Sequence, residues 1–375
     1  MKKRVALLGA TGSIGKSTLD VIRQGKDVFE VVLLSSHTDA AGLLALSGEF
    51  PDALLALSGS AQGPQAIPYF GSQGLLKAIA ACGGDIAVNG IAGAAGLQPS
   101  IEALNAGMDL ALANKETIVM AAPLVLALAQ EKKRRVIPVD SEHAAIFNLL
   151  EDHGRDQLDA LLLTASGGPF RTYSLEQLAA VSPQDALAHP TWNMGVKISI
   201  DSATMANKGL EVIEAARLFA MAPEKITVVV HPQSIVHSMV RFKDGTVYAQ
   251  MSCPDMRLPI QQALSYPDRG SRSWGALNFD ALTLEFTKPD AAAFPMLPLA
   301  YDALRRGPAY TVVYNAANEV AVTAFLEKRL SFLAIPRIVA QALDREWTVA
   351  LQLESILETD SQARSLAAAC IRANL

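Results

Sequence analysis

The alternation of apolar runs and polar turns at the start of the chain predicts a βαβ unit. The run Val5–Leu8 ends at a glycine, Lys16–Ile22 has the apolar spacing of an amphipathic helix, and Val28–Leu34 has the composition of a buried strand. These three elements fit within about 30 residues, which is the size of one such unit. Short apolar runs continue after them, separated by helical stretches, so residues 1–135 are predicted to form an α/β domain with a parallel sheet.

The rest of the chain shows two further patterns. Apolar runs such as Ile226–Val230 and Val236–Phe242 alternate with helical stretches, which predicts a central α+β domain over residues 136–265. Residues 266–290 are rich in Pro, Gly, Asp and Arg, as is typical of a linker. From there the apolar spacing is helical almost throughout, so residues 291–375 are predicted to form a small helical domain, with its last helix at Leu351–Ile356.

Composition and charge exclude several classes of protein. The 375 residues are half apolar, which argues against a disordered chain, and a formal net charge of -5 makes general binding to nucleic acid a poor fit, because that binding needs a basic face. Three cysteines without metal-ligand spacing indicate a reducing compartment. The longest uncharged run, at 117–130, is shorter than the roughly 20 residues of a membrane span, and the basic N-terminus leads into a strand instead of a signal peptide. We therefore expect a soluble cytoplasmic enzyme of bacterial type.

Three glycines after the first predicted strand mark a candidate dinucleotide site. Gly9, Gly12 and Gly15 lie between the strand and the first helix, which is where Rossmann-like domains carry their fingerprint. Glycines there leave room for a pyrophosphate, and the helix N-terminus supplies amide donors. Two alternatives remain: a turn without a ligand, and a kinase-type phosphate loop that uses Lys16. Ala10 weakens the second alternative, because that loop needs a glycine at this position.

The end of the second predicted strand bears on the choice of cofactor. An acid at this point usually binds the ribose 2′-hydroxyl of NAD. This chain instead has Ser35, Ser36, His37 and Thr38, and its first carboxylate is that of Asp39. Hydroxyl groups and a histidine can accommodate a 2′-phosphate, which an acid would repel. The pattern favours NADP, with His37 as a predicted cofactor-binding residue; the alternative is a polar strand end without a cofactor role.

Two acids after the strand predicted at 136–139 form a candidate metal site. In an extended strand end, Asp140 and Glu142 would point the same way and could share one divalent cation. Oxygen ligands without cysteine favour magnesium or manganese over zinc. The alternative is a helix start, in which Ser141 caps the helix and Glu142 occupies its first turn.

A third carboxylate is found in a segment with helical spacing. On a helix, Asn207, Lys208 and Glu211 would lie on one face, where they could hold a metal ion together with a phosphorylated or polyhydroxylated ligand. The alternative is a solvated helix face with one ion pair between Lys208 and Glu211.

Two loops of the middle region carry further candidate residues. The turn after one predicted strand combines Ser166 with two glycines and could present a hydroxyl and backbone amides to a phosphate. The loop 189–195 holds His189, Trp192 and Met194, which suits a lid that excludes water. An ordinary loop and local packing are the alternatives.

Taken in order, these segments resemble one family, 1-deoxy-D-xylulose 5-phosphate reductoisomerase. The resemblance covers nearly the whole chain and is weakest at about 40–85 and after 325. It rests on the segments 9–15, 112–116, 138–143, 166–170, 189–195, 197–211, 231–234 and 315–319.

The resemblance implies an NADPH-dependent enzyme with Mg²⁺ or Mn²⁺. It would rearrange 1-deoxy-D-xylulose 5-phosphate and reduce the product to 2-C-methyl-D-erythritol 4-phosphate, in the non-mevalonate route to isoprenoid precursors. It also implies a homodimer. Whether the carbon skeleton moves by a retro-aldol and aldol sequence or by a ketol shift stays open.

The resemblance also assigns roles to individual residues. The implied cofactor contacts are Thr11, Gly12, Ser13, Ile14, Asn114, Glu116 and Gly195. The implied metal ligands are Asp140, Glu142 and Glu211. The implied substrate contacts are Lys115, Ser141, Glu142, Ser166, His189, Trp192, Ser202, Asn207, Lys208 and Glu211, with the phosphate near Ser166, Ser202, Asn207 and Lys208. The implied catalytic residues are Lys115, Glu142 and His189, and Trp192 and Met194 are implied to form the lid.

One segment departs from the family pattern. Members usually have a glycine, a basic residue and an asparagine after the second strand, whereas this chain has His37, Thr38 and Asp39. The departure bears on the preference for NADP over NAD and leaves the expected fold and reaction unchanged. Besides the reductoisomerase, the hypotheses are a phosphate-loop kinase built on Lys16 and a non-catalytic NADP-sensing protein whose acids only solvate a surface.

Overall fold

The computed structural model describes residues 1–188, 191–192, 194–270 and 273–373. The chain divides into two compact units, each assembled from separate stretches of sequence. Residues well beyond 135 belong to the unit that contains the N-terminus. Unit 1 comprises Met1–Thr117, Val125–Ala144 and Asp255–Ala276, and unit 2 comprises Ile118–Leu124, Ala145–Pro254 and Leu277–Leu375.

Strands and helices alternate up to about residue 165, and helices predominate after it. The strands are β1 (Lys3–Leu8), β2 (Phe29–Ser36), β3 (Leu54–Leu57), β4 (Tyr69–Phe70), β5 (Ile86–Asn89), β6 (Asp109–Leu112), β7 (Val136–Pro138), β8 (Leu158–Ala165), β9 (Ile226–Val230), β10 (Val236–Phe242) and β11 (Val247–Met251). The helices are α1 (Ser13–Gln24), α2 (Ala40–Glu49), α3 (Gly71–Ala81), α4 (Leu97–Asn105), α5 (Lys115–Glu131), α6 (Ser141–His153), α7 (Leu175–Ala179), α8 (Pro183–Leu187), α9 (Val196–Ala203), α10 (Ala206–Leu218), α11 (Arg257–Ser265), α12 (Met296–Arg306), α13 (Pro308–Leu326), α14 (Ile335–Leu343) and α15 (Leu353–Ala373).

A parallel seven-stranded sheet forms the centre of unit 1, in the order β4-β3-β2-β1-β5-β6-β7. The last four residues of β1 are fully buried, as expected for a strand covered on both faces. β1 lies between β2 and β5, so the strand order reverses there. Open α/β sheets bind ligands outside the carboxyl ends of the strands at such a point. Gly9 follows β1 directly, so the glycine turn occupies this position.

The predicted βαβ unit is confirmed, with small shifts at its ends. β1 begins at Lys3, α1 begins before Lys16, at Ser13, and β2 extends to Ser36. β7 pairs in parallel with β6 and completes this sheet, although sequence reasoning assigns it to the middle region. β3 and β4 were not predicted, because strands of four and two residues carry too little pattern to recognise.

Helix α11 joins unit 1 from far along the chain. It packs against α1. The Lys3 ammonium donates to the carbonyl oxygens of Leu264 at 2.8 Å and Tyr266 at 3.2 Å. The Arg135 guanidinium lies 5.0 Å from the centre of the Tyr266 ring. The first strand is thereby bound to a residue 261 positions later.

Unit 2 is built around a mixed four-stranded sheet in the order β11-β10-β8-β9. β8 and β9 are parallel, and β10 runs antiparallel to both β8 and β11. β9 and β10 have the bounds that the apolar pattern predicts. Helix α10 packs near β9 and brings its polar face into this unit.

The helical C-terminal region is confirmed, and its long helix α13 is buried almost all round. Every residue from Ala309 to Ala317 is at most 7% exposed, and this includes the polar side chains of Thr311 and Asn315. α15 is much longer than the segment 351–356 that the pattern predicts. Polar residues interrupt the apolar spacing there, but the small side chains of Ala363 and Ala367 are fully buried and continue the packed face. Among the described residues, no helix combines the length and apolar character needed to cross a membrane.

Candidate active site

The turn after β1 has a backbone that requires glycine. Gly9 has a φ of +86°, in the region that side chains rarely adopt. A Cβ on Gly15 would lie 2.3 Å from the carbonyl oxygens of both Gly9 and Ala10. Gly12 is the cap residue of α1 and has no side chain to cover the first amides of the helix. The turn and the helix N-terminus together suit the pyrophosphate of a dinucleotide.

Two serines at the end of β2 hold this turn in place. The Gly9 amide donates to Ser35 Oγ at 3.1 Å, and the hydroxyls of Thr11 and Ser36 are 2.9 Å apart. Ser35 and Ser36 are both nearly buried. The hydroxyl groups of both serines therefore hold the glycine turn against the end of β2.

His37 is the first exposed side chain after β2. Its Nδ1 lies 3.2 Å from Ser58 Oγ, which orients the ring. Asp39 is the cap residue of α2 and accepts a hydrogen bond from the Gly42 amide at 2.8 Å. Capping occupies this carboxylate. His37 thus takes the position after the strand at which an NAD-binding domain usually has an acid.

Asn114 organises the carboxyl ends of the central strands. It caps α5 by accepting from the Thr117 amide at 2.9 Å. Its Nδ2 has three acceptors within reach of its two N–H groups: the carbonyl oxygens of Ile91 at 2.7 Å and Gly93 at 2.9 Å, and Glu116 Oε2 at 2.9 Å. Asn114 and Glu116 are both buried. One side chain therefore fixes a helix start and a neighbouring loop at the predicted cofactor site.

A nearly buried ion pair joins Lys115 and Asp140 within unit 1. The Nδ1 of His143 lies 3.0 Å from the other oxygen of Asp140. Burial by itself would raise the pKa of Asp140. The Lys115 ammonium and then His143 outweigh that effect and hold the pKa well below its usual range. Asp140 is therefore a carboxylate at neutral pH.

The geometry assumed for Asp140 and Glu142 from sequence is wrong in one respect. The extended strand ends at Pro138, and α6 begins at Ser141, so Asp140 directly precedes a helix and Glu142 lies in its first turn. The two side chains therefore do not point the same way by the alternation of an extended strand. The Ser141 hydroxyl donates to Glu142 Oε2 at 2.5 Å, which makes it a partner of the acid.

The predicted helical face of Asn207, Lys208 and Glu211 is confirmed on α10. Asn207 Nδ2 donates to Glu211 Oε1 at 2.6 Å, and the Lys208 ammonium pairs with Glu211 Oε2. Lys208 and Glu211 are buried, so this is not a solvated face. The Oδ1 of Asn207 is buried and accepts no hydrogen bond. Such an oxygen is an acceptor for a ligand hydroxyl.

The glycine turn after β8 packs directly on the end of α9. Gly168 has a φ of +70°, and a Cβ there would lie 2.6 Å from the carbonyl oxygen of Ser202. The Gly168 amide donates to Ser166 Oγ at 3.2 Å. Ser166 and Ser202 therefore belong to adjoining backbone segments of unit 2, beside the start of α10.

The predicted lid lies only partly within the described chain. His189 is outside the described residues. Trp192 and Met194 are half-buried, and Gly195 is the exposed cap residue of α9. α9 thus connects the end of the lid segment to Ser202.

Each unit contains one group of the residues predicted from sequence. Unit 1 contains Thr11, Gly12, Ser13, Ile14, His37, Asn114, Lys115, Glu116, Asp140, Ser141 and Glu142. Unit 2 contains Ser166, Trp192, Gly195, Ser202, Asn207, Lys208 and Glu211. Sequence reasoning assigned no role to Asp201 or Asn318, which form a buried hydrogen bond of 2.7 Å in unit 2. The available signal was the presence of amides at both 315 and 318 on an otherwise apolar helix.

Three models of protein families match the chain. Residues 5–122 match 1-deoxy-D-xylulose 5-phosphate reductoisomerase. Residues 136–219 match the C-terminal domain described under that same name. Residues 251–366 match a model described as the DXP reductoisomerase C-terminal domain.

Curated relatives match over nearly their full length. The 1-deoxy-D-xylulose 5-phosphate reductoisomerase of Chlorobium chlorochromatii is 48% identical over 376 residues, which cover 97% of this chain and 98% of that protein. The protein of the same name from Treponema pallidum is 46% identical over 371 residues, which cover 98% of this chain and 97% of the relative.

Solved structures agree with these matches. The reductoisomerase of Zymomonas mobilis in complex with NADPH is 40% identical, with a TM-score of 0.90 and 99% of both chains covered. A structure of DOX-P reductoisomerase in complex with NADPH, fosmidomycin and magnesium is 39% identical, with a TM-score of 0.91 and coverage of 99% of this chain and 98% of the other.

Proposed function

This chain belongs to the 1-deoxy-D-xylulose 5-phosphate reductoisomerase family, and we propose that it catalyses the reaction of that name. It rearranges 1-deoxy-D-xylulose 5-phosphate and reduces the product to 2-C-methyl-D-erythritol 4-phosphate, a step towards isoprenoid precursors. The reaction uses NADPH and a divalent metal ion. The observation that carries this conclusion is the match to the family over nearly the whole chain.

The cofactor residues proposed from sequence fit a dinucleotide. Thr11, Gly12, Ser13 and Ile14 form the turn and helix start at the point where the strand order of unit 1 reverses. Asn114 and Glu116 extend that site, and Gly195 is proposed to contact the cofactor as well. NADPH supplies the hydride for the reduction.

We further propose that Asp140, Glu142 and Glu211 bind one divalent ion. All three are carboxylates, and hard oxygen donors without sulfur or imidazole fit Mg²⁺ or Mn²⁺. Asp140 is held ionised by its surroundings, as a metal ligand must be. The ion provides charge stabilisation where negative charge develops on the substrate oxygens.

Two lysines are proposed to contact the substrate. Lys115 and Lys208 pair with Asp140 and Glu211, and both can turn to the substrate when these acids bind the ion. Lys208, Ser166 and Ser202 then hold the phosphate. Lys115 assists proton movement in a site from which water is excluded.

The roles proposed for Asn207 and Ser141 rest on the hydrogen bonds that these side chains make. The Asn207 Nδ2 donates to Glu211, and the Asn207 Oδ1 has no hydrogen-bond partner. This oxygen can accept from a sugar hydroxyl but not from a phosphate oxygen, because a phosphate oxygen is itself an acceptor. Ser141 supports Glu142, for which we propose both a catalytic role and metal binding. His189, Trp192 and Met194 are proposed to close over the substrate.

The setting of the enzyme is also a proposal. We expect it to act in the cytoplasm as a homodimer, without a nucleic-acid or membrane partner, and to accept Mn²⁺ as well as Mg²⁺. Light scattering of the purified protein measures its mass in solution. A mass of one chain at all concentrations would contradict the homodimer.

The direct test of the function follows NADPH absorbance with 1-deoxy-D-xylulose 5-phosphate. We expect oxidation that requires the substrate, stops with a chelator and returns with added Mg²⁺ or Mn²⁺. The same assay with NADH measures the cofactor preference. Oxidation that ignores the substrate or the chelator would contradict the proposal, and ATP binding lost on Lys16→Ala would favour a kinase.

The substitution His37→Asp is expected to reduce the preference for NADPH over NADH by at least about tenfold. A carboxylate at the end of β2 repels a 2′-phosphate and accepts a hydrogen bond from a ribose 2′-hydroxyl. The measurement is kcat/KM with each cofactor. Asp39→Asn is the matched control, because asparagine also caps a helix and the residue lies beside the same strand end. An unchanged cofactor ratio in His37→Asp would remove His37 from the cofactor site.

A further inference from the structure

Asp201 is a buried carboxylate next to a proposed phosphate contact. It lies in the last turn of α9, directly before Ser202, and is 1% exposed. The Asn318 amide of α13 donates to its Oδ1 at 2.7 Å, and the Lys197 ammonium lies 2.8 Å from its Oδ2. Both oxygens therefore have a partner, one of which comes from a helix 117 residues away in sequence.

Stability alone does not explain this arrangement. Removing a carboxylate and an ammonium from water costs several kcal/mol per ion, and apolar replacements of buried ion pairs are often as stable or more so. Lys197 also lies in the first turn of α9, where the helix dipole opposes a positive charge. The network instead fixes the position of α9 against α13, because its hydrogen bonds are satisfied in only one relative placement of the two helices.

Helix α13 also fixes the helix that follows α9. Gly209 of α10 faces Tyr314 of α13 so closely that a Cβ would lie 2.6 Å from the tyrosine oxygen. The Tyr314 hydroxyl donates to the carbonyl oxygen of Met296 at 3.1 Å and is fully buried. α13 therefore sets the positions of both α9, which carries Ser202, and α10, which carries Lys208.

The turn between these two helices is tight. Met205 has a φ of +63°, and the Thr204 hydroxyl accepts from the Ala206 amide at 3.3 Å while lying 3.3 Å from the carbonyl oxygen of Asp201. A shift of Asp201 is therefore transmitted to both Ser202 and the start of α10.

We propose that Asp201 is the positioning residue of the phosphate site, acting through Asn318 and Lys197. Asn318 fixes the end of α9, so that the Ser202 hydroxyl meets the phosphate without reorganisation. Lys197 neutralises Asp201, so that a carboxylate beside Ser202 does not repel the phosphate. This inference rests on the proposed function, because that function assigns the phosphate to Ser202.

The test compares Asp201→Asn and Asn318→Leu with Glu319→Gln. The control lies on the same helix and removes a comparable ion pair, that of Glu319 with Arg364 at 2.7 Å. For the first two variants we expect KM for 1-deoxy-D-xylulose 5-phosphate to rise about 10- to 100-fold, as for a phosphate contact misplaced by about 1 Å. KM for NADPH and kcat should change less than about threefold. The control should lower Tm without raising the substrate KM.

A second set of variants tests the same proposal if Asp201→Asn does not fold. Lys197 is partly exposed, so Lys197→Met is expected to fold even if Asp201→Asn does not. It should raise the substrate KM at least about fivefold, and the conservative Lys197→Arg should restore it to within twofold of the wild type. The proposal is overturned if the substrate KM rises no more in these variants than in Glu319→Gln at equal loss of Tm.

The wild type separates this inference from the proposed function. If the wild-type enzyme does not turn over 1-deoxy-D-xylulose 5-phosphate, the proposed function fails. In that case, titration with inorganic phosphate tests the network by itself. Asp201→Asn and Asn318→Leu should then weaken phosphate binding about tenfold relative to Glu319→Gln, and equal binding in all three would overturn the role of Asp201.

Discussion

Glu211→Gln is expected to lower kcat/KM for 1-deoxy-D-xylulose 5-phosphate by about 10³-fold or more. Glutamine keeps the length of the side chain and can still accept from Asn207, so the helix should remain folded. It cannot supply the negative charge that a divalent ion needs, and the stabilisation of developing charge on the substrate is lost with the ion. The buried ion pair between Lys208 and Glu211 would also be lost.

The measurement is a titration of activity with Mg²⁺ and Mn²⁺, together with NADPH binding followed by its fluorescence. We expect NADPH to bind with unchanged affinity. Glu214→Gln is the matched control, since Glu214 lies on the same helix and is equally buried at 1% exposure. Full metal-dependent turnover in Glu211→Gln, or an equal loss in Glu214→Gln, would remove Glu211 from the metal site.

Gly15→Ala is expected to abolish measurable NADPH binding and to lower the free energy of unfolding by about 1–3 kcal/mol. The added methyl group would lie 2.3 Å from two carbonyl oxygens of the turn, so the turn must move. The moved backbone no longer brings the amides of α1 to the pyrophosphate.

A helical glycine of the same unit provides the control for this substitution. A Cβ on Gly48 in α2 would meet nothing within 4 Å, and alanine is favoured over glycine in a helix by up to about 1 kcal/mol. Gly48→Ala should therefore keep NADPH binding and raise Tm slightly. Calorimetric unfolding and a fluorescence titration measure both effects. Normal NADPH affinity in Gly15→Ala would show that the turn does not bind the cofactor.

Local patterns were sufficient to predict most elements near the N-terminus. The strand, glycine turn and helix over the first 24 residues follow from apolar spacing and from the need for glycine in a tight turn. The face of Asn207, Lys208 and Glu211 was also predictable, because helical spacing alone brings these side chains together. In both cases the interacting residues are close in sequence.

Features that depend on distant parts of the chain were not predictable in this way. The amide that donates to Asp201 is that of Asn318, and no spacing rule connects residues that far apart. The sequence leaves a helix start at Ser141 and an extended strand end as alternatives, because the acids that follow Pro138 fit either conformation. The length of α15 was missed because polar residues on its exposed face mask the buried alanines.

The dependence of unit 1 on helix α11 has a consequence for biosynthesis. Lys3 leaves the ribosome well before its partners Leu264 and Tyr266, which are translated 261 and 263 residues later. The nascent N-terminal sheet therefore lacks its contacts with α11 while the central region emerges and starts to fold. Chaperone binding to ribosome-bound fragments should accordingly persist until α11 has cleared the exit tunnel.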